Sequence, residues 1–186
     1  VTVRNGIRVA ALGLALGVLL VSGPPAVAGD EAAAAPDLSK VTFKSPDDRL
    51  WKVGTHEGND QALLIQFVPQ GESIDEWNSL VTMQEYTLTE GRFPGADEAA
   101  KLLEKRMRAR CPEVDWEMVN QTAWSVTYRW HSEGCALQPN ESEIARVMVS
   151  PSRTVRIAYT VRPGPLSPAD RLRLEDWLAG FTPKGP

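Results

Sequence analysis

Apolar and polar residues alternate with a period of two in several separate stretches, the pattern of strands with at least one buried face. In QALLIQFV (61–68), Leu63, Ile65 and Phe67 fall on one face and Leu64 and Val68 on the other, which predicts a strand covered on both sides. AWSVTYRW (123–130) sends Trp124, Val126, Tyr128 and Trp130 one way and Ser125, Thr127 and Arg129 the other. EIARVMVS (143–150) and RTVRIAYTV (153–161) flank Pro151-Ser152, which suits a hairpin loop. VTFK (41–44), LWKVGTH (50–56) and VTMQEYTL (81–88) complete the predicted strands, with EGND (57–60) as hairpin chemistry between the second and third.

The period changes to that of a helix in two places. Over Asp97 to Arg110, Ala99, Leu102, Leu103 and Met107 make one stripe, and the run ends before Pro112. Lys101, Glu104, Lys105 and Arg108 form its solvated side, with Glu104 and Arg108 spaced for an ion pair. Ser167-Pro168-Ala169-Asp170 opens a second helix with an N-cap, a proline at the first helical position and an acid at the third. Leu174, Trp177, Leu178 and Phe181 give it one apolar face. Ser73-Ile74-Asp75-Glu76 has capping-box spacing and predicts one or two helical turns, anchored by Trp77 and Leu80.

The amino-terminal pattern is different in kind. Arg4 and Arg8 precede an apolar run, Val9 to Val21, and Ala26-Val27-Ala28 has the small-x-small form of a cleavage site. The run is shorter than the roughly 20 residues that a membrane-crossing helix needs. Residues 1–28 therefore read as a secretory signal peptide, 29–40 as a disordered leader and 41–183 as a single domain. The expected location is periplasmic or secreted, with no transmembrane segment in the mature chain.

Export changes how the two cysteines are read. In an oxidising compartment, Cys111 and Cys135 are expected to form one disulfide, which stabilises a fold of this loop length by roughly 3 kcal/mol on the chain-entropy model. It would tie the end of the 97–110 helix to the 131–142 loop. Together these features predict an α+β fold, a mainly antiparallel sheet with two covering helices.

The element order is carried by VTFKSPDDRLW, the helix DEAAKLLEKRM, and RTVRIAYTV followed by LRLEDWLAGF. In these it resembles the Mog1/PsbP-like α+β proteins, a fold of many small exported bacterial proteins. FVPQGESIDEWNSLVTMQ is similar to a phrase found in uncharacterised exported bacterial proteins. The resemblance implies a binding or assembly role and brings no catalytic residues with it.

Charge narrows the function further. The chain has a formal net charge of −4, and loss of Arg4 and Arg8 with the leader would take it to −6, which argues against nucleic-acid binding. Residues 144–169 nevertheless contain no acid. Arg146, Arg153, Arg156 and Arg162 lie in that span, and Arg146 and Arg156 are expected on a common sheet face. Guanidinium forks suit a carboxylate, a phosphate or an acidic envelope partner. The other reading is an edge hairpin that uses charge against strand pairing, or arginines answering the acidic amino-terminal half.

Candidate catalysts are sparse: neither GxSxG nor HExxH occurs. His56 beside Glu57 and Asp60, with His131 beside Glu133, could supply a divalent metal and a small hydrolase. Asp47-Asp48 and Asp75-Glu76 fit surface turns and a helix start better than an acid–base pair. Of the six tryptophans, Trp116 and Trp130 are expected nearest the surface, as possible ligand contacts. The sequence thus favours an exported, non-catalytic binding protein of the cell envelope, with no cofactor. The alternatives are a small-ligand carrier with a pocket between sheet and helix, and the metal-dependent hydrolase.

Overall fold

The computed structural model describes residues 42–88 and 95–181. Seven strands, β1 (Trp51–Gly58), β2 (Ala62–Pro69), β3 (Ser79–Thr87), β4 (Asp115–Gln121), β5 (Ser125–Ser132), β6 (Glu141–Val149) and β7 (Arg153–Val161), form one sheet. Its order is β1-β2-β3-β7-β6-β5-β4, with every neighbouring pair antiparallel. Helix α1 (Ala96–Arg110) joins β3 to β4, and α2 (Pro168–Ala179) follows β7. This is the expected α+β class. The expected signal peptide (1–28), the expected leader (29–40), and residues 41, 182 and 183 of the expected domain lie outside the described residues.

The helices cover opposite faces of the sheet, and the pleat explains why. On β6, Ile144 and Met148 join β7's Val155, Ile157 and Tyr159 under α2, which contributes Leu174 and Leu178. The alternate residues Ala145, Val147 and Val149 turn the other way, to pack with Val126, Tyr128 and α1's Ala96 and Ala100. Alanines at both α1 contacts let its backbone lie close to β5 and β6. Cys111 ends the helix fully buried and is bonded to Cys135, the two Cα atoms 5.3 Å apart.

Several expected elements differ. Residues 42–44 of VTFK pair with no strand among the described residues; instead Phe43 stacks on Phe67 at 4.0 Å, and the Lys44 carbonyl accepts from Trp177 Nε1. Ser73 Oγ does accept from the Glu76 amide at 3.1 Å, but no helical turn follows. The hydroxyl closes a local turn, and six residues are too few to repay helix nucleation. Glu72, not Glu76, receives the next amides, those of Asn78 and Ser79. Strand β4 escapes the alternation test because its register slips between Met118 and Asn120. On α1, Leu102 is 49% exposed rather than part of the buried stripe.

Candidate functional site

Among the described residues helix α1 packs mainly on β4, β5 and β6, so much of its sheet face over β7, β3 and β2 stays open. The segment 70–78 rises on the far side, where Ile74 packs over Val68 and Gly54. The result is a trough floored by the sheet, with α1 along one wall and Ile74 and Trp77 along the other. Three adjoining hollows of about 460, 320 and 390 Å³ make it up, and all three are lined by Gln84 and Arg156.

Arg156 projects from β7, the middle strand of the sheet, where an isolated charge would be costly. It is fully engaged in structure. Its Nε donates to Tyr128 Oη at 2.8 Å, one Nη to Gln84 Oε1 at 2.9 Å and the other to Glu143 Oε1 at 2.5 Å. Glu143 accepts also from Trp130 Nε1 at 3.0 Å and from Thr160 Oγ1 at 3.2 Å, both directly opposite it on neighbouring strands. Burial works against the Arg156 charge, but the Glu143 carboxylate and Tyr128 outweigh it, so the guanidinium holds its proton more tightly than usual. Burial likewise pushes the Tyr128 hydroxyl up, with Arg156 opposing.

The far end of the trough repeats this chemistry nearer to water. Arg162 Nε donates to Glu141 at 2.8 Å, and its guanidinium lies over the Trp77 ring at 4.0 Å. Burial raises the Glu141 pKa against the pull of Arg162.

The α1 wall differs from both. Lys101 pairs with Asp97, and Arg108 with Glu104, as the helical spacing predicts. Lys105, Arg106 and Arg110 line the trough and have no acidic partner among the described residues. Below them Trp116 stacks on Tyr128 with ring centroids 4.4 Å apart. The Trp116 indole N–H is buried and has no partner among the described residues, as is the case for the Thr154 hydroxyl in the adjoining hollow. Of the carboxylates that line the trough, Glu143 is saturated and Glu141 is paired with Arg162, so beside Glu98 an incoming molecule meets N–H donors, cations and apolar side chains.

The four arginines of the hairpin are not brought together. The turn at Pro151-Ser152 is as expected, but it pairs Arg146 with Ile157 and Arg156 with Val147, so the two arginines point to opposite faces. Arg146 lies under α2 and donates to the Leu178 and Ala179 carbonyls at 3.1 and 3.3 Å. Arg153 pairs with Glu85 across the β3–β7 register. Each guanidinium thus has a partner within the fold, which corrects the expectation of a common anion-binding cluster.

The two histidines are also separate. His56 is on the edge strand β1 and His131 on β5, five strand spacings apart, or about 24 Å at the usual inter-strand distance. His131 is held by the Ser142 hydroxyl at 2.9 Å and lies close beneath Gly164. Among the described residues no group of three or more His, Cys, Asp and Glu is placed to hold a metal ion.

Trp116 and Trp130 do both line the trough. Trp130 is only 5% exposed, however, and gives its N–H to Glu143, whereas the Trp116 N–H remains to be used. Sequence reasoning missed Arg106 and Arg110. The signal was present: they stand four apart, and neither has an acid four residues away to pair with, unlike Lys101 and Arg108. No protein-family model, no curated protein and no solved structure matches the chain.

Proposed function

We propose that this chain is an exported, non-catalytic binding protein of the bacterial cell envelope that holds a small anionic ligand in the trough beside α1. The observation that carries the reading is the buried, unpartnered Trp116 indole N–H beneath Arg106 and Arg110, two cations without acidic partners among the described residues. A buried donor left without a partner is costly, and a bound acceptor removes that cost. The trough volume is that of ordinary small-molecule sites. A ligand is favoured over an envelope protein at the arginine hairpin, because those guanidiniums are already paired internally. The leader-like amino terminus and the Cys111–Cys135 bridge support export. The order of strands and helices supports the Mog1/PsbP-like assignment, which rests on architecture alone.

The test is native mass spectrometry of the protein as recovered from its own host. An anionic small molecule should be retained by the natural protein and by Arg153→Glu, and lost from the double variant Arg106→Glu/Arg110→Glu. Equal retention by the double variant, or no retained molecule in any of the three, would overturn the proposal.

A further inference from the structure

The trough is not uniform along its length, and the gradient names a ligand class. At the Ala99 end of α1 the walls are aliphatic, with Leu88, Leu102, Leu103 and Val147 around the 460 Å³ hollow. Leu102 and Tyr86 are 49% and 45% exposed there, large apolar surface at the lip of a concavity rather than on a convex face. One to two helical turns on, Arg106 and Arg110 bring positive charge above the Trp116 N–H. From Leu102 to Arg110 the helix advances about 12 Å. An aliphatic segment followed by cations and one buried, unpartnered donor matches a molecule with an apolar chain and a single anionic head.

Resting on the binding reading of this same trough, we infer that the ligand is a single-chain amphiphile with a carboxylate head. Its chain lies along Leu102, Leu103 and Val147, and its head reaches Arg106, Arg110 and the Trp116 N–H. A carboxylate offers two acceptor oxygens, one for the indole N–H and one for a guanidinium fork. A phosphate head also suits arginine, but near neutral pH it carries up to twice the charge. Glu98 lines the same trough without a basic partner among the described residues, so the second phosphate charge is opposed as well as attracted there. A singly charged head with two acceptor oxygens suits the one indole donor and one guanidinium fork. Neutral heads forgo the cations, and cationic heads meet Lys105, Arg106 and Arg110.

Calorimetric titration of the full chain with dodecanoate, below its micelle range, tests this. Dodecanoate should bind saturably, and dodecanol, dodecyl phosphate and dodecyltrimethylammonium more weakly, with acetate not competing. Arg106→Glu, at an exposed position, should weaken dodecanoate by at least about tenfold. Trp116→Phe should weaken dodecanoate by about tenfold and leave dodecanol unchanged, because only a charged head uses the N–H, while the trimmed stack on Tyr128 costs some stability in either case. A merely structural tryptophan would leave the ratio of the two affinities unchanged. Equal affinity for dodecanol, tighter binding of dodecyl phosphate, displacement by acetate, or no binding of dodecanoate would each overturn the inference. In every one of those cases an Arg106/Arg110-dependent retained anion would still uphold the broader reading, so the two fail separately.

Discussion

Arg156 and Glu143 form a buried pair whose remaining valences are filled by Tyr128, Gln84, Trp130 and Thr160. Removing one partner strands the other in the sheet. Arg156→Met should cost about 3–5 kcal/mol in urea denaturation, and adding Glu143→Gln should recover a large part of it. Glu141 gives a different, pH-dependent signature. Its raised pKa means that the folded state binds a proton more readily than the unfolded chain does. Its contribution therefore favours the fold at low pH and is lost as pH rises from the ordinary carboxylate value of 4.5 through the raised one. Glu141→Gln should flatten that part of the stability profile, measured by thermal melts across pH. These networks were only partly legible. The polar residue types are visible in the strands, but the partners of Arg156 come from β3, β5 and β6, and no local pattern joins them.

At the scale of elements, α2 owes its seat to more than its apolar face. Ser167 Oγ accepts from the Asp170 amide at 3.1 Å at its start, and Arg146 donates to its last carbonyls at its end. Burial lowers the Arg146 pKa, but the carbonyls of a helix C-terminus favour a cation. Arg146→Met should destabilise by about 1 kcal/mol. Arg153→Met, which breaks a partly exposed pair with Glu85, should cost less than about 1 kcal/mol in the same chemical denaturation series. The cap of α2 was readable from Ser167-Pro168, and so was the Glu104–Arg108 pair of α1. The faces of the hairpin were not read correctly. Its turn was in the right place, but the two-residue loop pairs Arg146 with Ile157, so Arg156, one residue short of that partner, faces the other way.

For the whole molecule, the sheet with one helix on each face leaves α1 tethered at its end by Cys111–Cys135, across a sequence separation of 24. Replacing both cysteines with serine should lower stability by about 3 kcal/mol on the chain-entropy model, read as a shift of the denaturation midpoint. Among the described residues no helix is long and apolar enough to cross a membrane. The open half of the α1 face, and hence the trough, is a consequence of the strand order. β7 is inserted between β3 and β6, so α1, seated mainly on β4, β5 and β6, leaves much of β2, β3 and β7 uncovered beside the 70–78 segment.

Local periodicity, caps and cysteine count were enough by themselves to set the α+β class, six of the strands, both helices and the pairing of the only two cysteines. These depend on neighbours a few residues apart, or on there being a single way to pair. The trough, the division of the arginines between two faces and the vacant Trp116 N–H were decided by long-range strand order. That order determines which side chains meet across the sheet, and it is governed by interactions between segments as far apart in sequence as Ser79 and Val161 rather than by any one of them.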